Sequence, residues 1–240
     1  MEKQVETYLS KRGYQISTTP MSYINAADAW YSMETISDFH KRTTVQGEEY
    51  ELQKLNFAKR ACSDEANLCE VVEINCGENQ TDPVMDVFEK SRFDVMYREQ
   101  LEMVPANGTV AAYIYLKDSV IYEDNSVRGG EIRINYIEAK NYIPLTVVNK
   151  EVVEAAFCGV DYVDKKKRTT LVMFTLEHGL DKSTTVVWND AGKLLEETEL
   201  QLGDVKPFSV MQNAEVNPIK HMDGYGFPKV YGAVSVLKAL

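Results

Sequence analysis

The residues best equipped for chemistry in this 240-residue chain are few and widely spaced. The three histidines are His40, His178 and His221. None lies in an H-E-x-x-H pattern or at ligand spacing from a cysteine or carboxylate, so each is expected at the surface or the edge of the core. The four cysteines are Cys62, Cys69, Cys76 and Cys158. The first three recur every seven residues, which on a helix places neighbours two turns, about 10 Å, apart. That is too far to share one metal ion or close a disulfide. With no C-x-x-C pair, the cysteines read as small buried hydrophobes. Carboxylates are plentiful, but Glu48-Glu49, Asp64-Glu65 and Glu196-Glu197 lie in polar stretches that a solvated face explains. Two of them brought together by the fold could still work as acid and base. The one basic run, Lys165-Lys166-Lys167-Arg168, reads as a solvated hairpin tip, its alternative being a contact to nucleic acid or an acidic partner. There is no G-x-S-x-G elbow, Walker loop or G-x-G-x-x-G. Asn79-Gln80-Thr81 fits the glycosylation pattern, which needs a secretory route. No metal and no cofactor is implied.

The elements that must carry these residues change character partway along the chain. Residues 2–12 form a short amphipathic pattern stopped by Gly13, and residues 22–30 form a second. In residues 51–72, Leu52, Leu55, Ala58, Cys62, Cys69 and Val72 follow steps of three, four or seven, which predicts one long helix with Cys62 and Cys69 facing the core. Thr81-Asp82-Pro83 is a helix start with proline in the first turn. That helix is expected to run to Met103 with a break near Phe93. Beyond Asn107-Gly108 the chain is β-rich, with strands expected over 110–116, 131–137, 143–148, 152–160, 168–177, 184–188 and 193–200. Glu123-Asp124-Asn125 and Gly129-Gly130 supply turn chemistry, and Asn149-Lys150 and Asp190-Ala191-Gly192 are short enough for hairpins. Residues 201–228 read as mostly loop, and 229–240 as the start of a new helix. The helices precede the strands instead of alternating with them, so the expected class is α+β, with a largely antiparallel meander.

The chain carries 37 acidic against 26 basic residues, a formal charge of −11. Such a chain is a poor non-specific binder of DNA, because phosphate neutralisation needs clustered Lys and Arg. No apolar run reaches bilayer length and residues 1–14 lack a signal-peptide core, which predicts an intracellular protein. The 14 tyrosines include several that alternate along strands, as sheet-packing residues do. Read from the residues alone, this is an acidic α+β protein without a recognisable site, which favours a structural or interaction role.

Four stretches, in order, resemble the portal (head–tail connector) proteins of siphophages infecting Gram-positive bacteria. Trp30-Tyr31 followed by Phe39-His40 is similar to the family's Trp-Tyr, spacer, Phe-His pattern ahead of a Lys/Tyr-rich strand. Leu55 to Leu68, with Ala58-Lys59, Cys62, an acidic residue and Ala66-Asn67-Leu68, is similar to a family helix. The third stretch, residues 131–157, contains Ala139, Pro144 and Phe157. The fourth, residues 208–240, contains Asn217, Gly226 and a closing Ala/Leu-rich helix. Leu68-Cys69-Glu70-Val71 departs from the family's Leu-Leu-x-Asn-Glu ending, which puts that helix terminus in doubt.

The resemblance implies a helical part over 1–106, a β-rich wing part over 107–213, and a connector with the start of a truncated helix over 214–240, together one compact unit. It implies a structural subunit and no enzyme: a dodecameric ring at one capsid vertex, made with other portal subunits when full length. The ring docks terminase, contacts the capsid or scaffold protein, and later receives head–tail adaptors. DNA passes through without sequence-specific binding, and no membrane is involved. The location implied is the virion, with the host cytoplasm before assembly. Such portals are roughly twice this length, so the clip, stem and crown would fall beyond Leu240, as in a trimmed chain or an interrupted prophage gene. The rival readings are a hydrolase whose dispersed carboxylates converge in a sheet-floored cleft, and a phage-derived protein-binding module.

Overall fold

The computed structural model describes residues 2–34, 36–53, 55–69, 81–122, 126–214 and 216–238. The fold is mixed α+β, with all described α-helices but the last in the first half and the two larger antiparallel sheets after them. Helix α1 (Lys3–Lys11) ends in a tight turn at Gly13, and α2 (Thr19–Tyr31) starts three residues before the expected 22 because Pro20 sits in its first turn. A four-residue helix, α3 (Ser37–His40), leads into a small hairpin, β1 (Lys41–Thr43) and β2 (Glu49–Glu51), closed at Gly47.

This hairpin corrects the long helix expected over 51–72. Glu51 ends β2, and the helix, α4 (Phe57–Asn67), begins only at Phe57, after Asn56 at its N-cap position. Leu55 therefore lies before the helix and is 60% exposed, and Cys69 lies past its end and is also exposed. The face that packs is Ala58, Cys62 and Ala66, at steps of four. Cys76 and Val72 lie outside the described residues. Helices α5 (Thr81–Lys90) and α6 (Phe93–Asn107) are separated where the pattern predicts, at Arg92, whose φ of 52° is left-handed. Helix α6 continues past Met103, through Pro105, until Gly108 (φ 80°) stops it.

A three-stranded sheet has the order β10-β3-β4, from β3 (Thr109–Ile121), β4 (Val127–Glu138) and β10 (Phe208–Gln212). Residues 201–228 are mostly loop, as expected, but β10 adds a strand within them that the pattern did not show. Its five residues are too few to stand out locally, and pairing with Thr109 to Tyr113 of β3 defines it. Gly129-Gly130 are likewise not a turn. They lie within β4 at φ 67° and 96°, opposite Asp118 at φ 56°, and kink the β3–β4 pair. Residues 123–125 lie outside the described set.

After a 3-10 turn (Ala139–Asn141), the second sheet is a meander in strict chain order: β5 (Tyr142–Val148), β6 (Glu151–Val163), β7 (Lys166–Glu177), β8 (Leu180–Asn189) and β9 (Leu194–Gly203). Three of its turns are two residues long with positive φ at both positions: Asn149-Lys150, Asp164-Lys165 and His178-Gly179. This is the geometry that matches strand twist, so each turn forces an adjacent antiparallel pairing. Lys165 thus sits at a hairpin tip, as expected, while Lys166 to Arg168 belong to β7.

Strand alternation gives this sheet two buried faces. On one, Ile143, Ala156, Leu171, Met173, Val186 and Trp188 receive Val5 and Leu9 of α1. On the other, Tyr142, Phe157 and Phe174 pack against Tyr113 and Phe208 of the first sheet, with Ile24, Met222 and Tyr225 closing the layer. A third cluster joins helices through small residues: Ala27, Ala58, Cys62 and Ala106 against Val230 of α7 (Lys229–Leu237).

Candidate functional site

The ten residues singled out by the resemblance fall into two packed groups. At the helical end, α2 presents Trp30 and α3 presents Phe39 and His40, with ring centroids 5.3 Å (Trp30–Phe39), 5.7 Å (Trp30–His40) and 5.1 Å (Phe39–His40) apart. His40 is buried, and its Nδ1 accepts a hydrogen bond from the Ile36 N–H at 3.0 Å. It is a helix-terminus acceptor, with no carboxylate or thiol beside it in that contact. Ala58 and Cys62 pack into the helical cluster one turn apart, and Lys59 lies over the Tyr31 ring at 5.9 Å. Burial pushes the Cys62 thiol up to about 12, with Glu102 and Glu65 adding to the shift. A thiol held protonated is a poor nucleophile at neutral pH. Burial, then the hydrogen bond to Glu102 (2.6 Å), also raises Tyr31.

The second group threads the last loop between the sheets. Phe157 sits in the aromatic layer, 5.0 Å from Tyr113 and 5.9 Å from both Phe174 and Phe208. Pro144 lies under Gly224, where a Cβ would come within 2.6 Å of the proline ring. Asn217 shapes the loop by accepting from the Ile219 N–H (3.0 Å) and donating to the Tyr225 carbonyl (3.3 Å). Gly226 crosses Gly108 backbone to backbone. A Cβ on Gly226 would lie 2.2 Å from the Gly108 carbonyl oxygen, and one on Gly108 would lie 2.4 Å from that of Gly226. The crossing is pinned by Gly226 N–H to Thr109 Oγ1 (2.8 Å) and Asn213 N–H to the Gly108 carbonyl (2.8 Å). Tyr225 donates to the Tyr142 carbonyl at 2.7 Å, and Tyr142 to the Gly224 carbonyl at 3.2 Å.

The remaining chemical candidates stay apart. His178 and His221 are exposed turn residues with φ of 55° and 64°. Glu197 accepts from Arg12 (2.7 Å) and Tyr8 (2.6 Å), Glu65 pairs with Lys229 (2.6 Å), and Asp64 lies 3.9 Å from Arg60. Within the basic run, Lys167 is held by Glu2 at 2.6 Å. Among the described residues no group of His, Cys, Asp and Glu is arranged to hold a metal ion. Three cavities stand out. One of about 170 Å³ lies beside Trp30, Phe39 and His40. One of about 320 Å³ lies between α6 and the outer face of the three-stranded sheet. A groove of about 540 Å³ runs between β3 and β7–β9, lined by apolar, Ser and Thr side chains and no charged ones.

The exposed apolar residues are less evenly spread. Ile114, Tyr115, Leu116, Val120, Tyr122 and Ile132 all belong to the β3–β4 arm where it runs past β10. The strand pattern gave the arm's existence, while its exposure needed the positions of the other sheets. Gln100 carried a sequence signal that hydropathy counting passes over. It follows Phe93 and Tyr97 at helical steps of four and three, a polar residue on an apolar stripe. No protein-family model matches the chain, and no curated protein matches it. Among the described residues no helix is long and apolar enough to cross a membrane.

Proposed function

We propose that this chain is the wing part of a portal-type ring subunit, a structural component whose work is geometric and not covalent. The observation that carries the reading is the β3–β4 arm, which leaves apolar side chains from both of its strands in water. Exposed apolar side chains gathered on one arm in this way mark a surface for another protein. The motif residues shared with the portal pattern support the same reading, since each is engaged in packing or backbone hydrogen bonding and none converges on a reactive centre. The net charge of −11 suits a conduit past which DNA phosphates slide without adhering. In this reading the arm packs on a neighbouring subunit or the capsid, and terminase and head–tail adaptors dock on the completed ring.

The genes flanking this one give the most direct test. A large-terminase gene on one side and a capsid or scaffold gene on the other are the expected result, and metabolic neighbours on both sides would overturn the proposal. A biochemical arm uses the purified chain with ATP, DNA and glycoside substrates. No turnover is expected, and reproducible turnover abolished by one substitution would favour the hydrolase reading instead.

A further inference from the structure

Strand β3 loses one of its two neighbours partway along. Strand β10 accompanies it up to the Tyr113–Phe208 pair, and one further bond runs from the Ile114 N–H to the Pro207 carbonyl at 2.8 Å. Pro207 has no N–H to return to the Ile114 carbonyl, so the ladder stops there. Among the described residues, β3 is then paired with β4 alone as far as Ile121. Hydrogen-bonding direction alternates along an antiparallel strand, so the N–H and C=O of Leu116 face the same side as those of Ile114, away from β4. The Leu116 N–H has no protein partner among the described residues, and its carbonyl meets only the Ser119 hydroxyl, at a long 3.4 Å. The kink at Asp118 (φ 56°) ends the straight part of this edge.

The bare edge opens into the groove of about 540 Å³. Tyr113, Ile114, Tyr115 and Leu116 line it consecutively, whereas a groove over one face of a strand would be lined by every second residue. Its floor is a pleated face: Val172 and Phe174 of β7, Ser183 and Thr185 of β8, Thr198 and Leu200 of β9. No charged side chain lines it. The groove has the form of a strand's place between two sheets, with a backbone edge along one wall and an uncharged floor beneath.

We infer that this groove receives a short extended segment of another polypeptide, which adds to β3 as a strand in the line that β10 leaves. An extended backbone offers its donors and acceptors at the spacing of the Ile114 carbonyl, the Leu116 N–H and the Leu116 carbonyl. Its inward side chains, at alternate positions, are uncharged, because a charge set on this floor would lose water and find no counter-ion. The inference deepens the reading of the arm as a surface for another protein and does not need the ring. A failed peptide titration beside terminase and capsid genes would remove the strand and leave that reading standing.

Fluorescence anisotropy tests it with a dye-labelled peptide, Lys-Thr-Val-Thr-Val-Thr-Lys, and a counterpart N-methylated at its five central amides, which keeps the side chains and removes the donors. The 240-residue chain is expected to bind the first at least about tenfold more tightly, since the second can form no ladder. Amide hydrogen exchange should slow severalfold at 114–117 when the first peptide binds. Leu116→Pro removes the edge N–H while sparing the bonds to β4, and Thr185→Lys puts a charge on the floor; each should weaken the peptide about tenfold. Failure to bind at about 1 mM peptide, equal binding of the two peptides, or protection confined to other strands overturns the inference. So does self-association abolished by Leu116→Pro without any peptide binding, which makes the occupant a second copy. If Leu116→Pro does not fold, the peptide pair, the exchange map and Thr185→Lys still decide it.

Discussion

Strands β3 and β7 have similar apolar content and opposite fates. In β7, Leu171, Val172, Met173 and Phe174 point alternately to two covered faces, and Leu171 and Met173 reach complete burial under α1. In β3, Tyr113 is buried but Ile114, Tyr115 and Leu116 are 49%, 40% and 40% exposed. The difference lies in neighbours, not composition. β7 is the middle strand of five, flanked by β6 and β8 over most of its length, whereas β10 accompanies β3 only through Tyr113. Hydropathy thus specifies a strand and leaves open whether the fold covers it, which is why the sequence gives the strands of the arm but not their exposure.

Substitutions in the two regions should separate them clearly. Phe157→Ala, in the layer between the sheets, is expected to cost about 3–5 kcal/mol in urea denaturation. Ile132→Ser, on the arm, is expected to fall within about 0.5 kcal/mol. Equal losses would erase the distinction. The glycines offer a second contrast. Gly226→Ala must push its Cβ against the Gly108 carbonyl, an overpacked crossing that costs about 1–3 kcal/mol or more. Gly129→Ala in the arm meets no atom closer than 3.9 Å, so it pays only for its left-handed φ, about 1–2 kcal/mol.

Thiol labelling mapped by peptide mass sharpens the boundary of the helical cluster. Cys69 should react within minutes in the native protein. Cys62, buried and with its thiol raised to about 12, should wait for unfolding. Equal rates would mean that α4 does not pack as described. The smallest effect is electrostatic. Lys182, 2.7 Å from Glu199, holds that carboxyl below its ordinary range, with Arg12 assisting. A carboxylate with a depressed folded pKa contributes stability above its unfolded pKa and loses it as pH falls through the folded value. Glu199→Gln should therefore lower stability slightly at neutral pH, a small loss because the pair is partly solvated, and the difference should vanish as pH falls below about 4.5.

Much of the fold was legible because its signals are local. The two-residue turn at Asn149-Lys150, the stop at Gly108 and the break ahead of Phe93 each depend on a few adjacent residues. What the sequence misjudged depends on distant partners. Leu55 and Cys69 fit a helical period that the chain never completes, because β2 claims Glu51 and the helix starts only at Phe57. Phe208 to Gln212 look like loop until β3 supplies their hydrogen bonds. The candidate site was legible only in pieces. Trp30, Phe39 and His40 could be named from sequence, but their mutual contact, and the pairing of Gly226 with Gly108, arise from segments that meet only in three dimensions.

The glycine crossing also sets an order of events for the folding chain. Gly226 binds Thr109 across 117 residues of sequence, so the backbone between them must be brought round into a closed loop before either bond exists. Closing so long a loop from an open chain is entropically slow, and contacts of this separation dominate folding times. The meander, built from adjacent hairpins, has no such delay and can form first as a platform. Helix α7, which begins three residues beyond the crossing, at Lys229, packs against Ala27 and Cys62, so its docking is tied to the closing of that loop. Helix α7 is thereby the latch of the helical half, which completes its packing after this loop has closed.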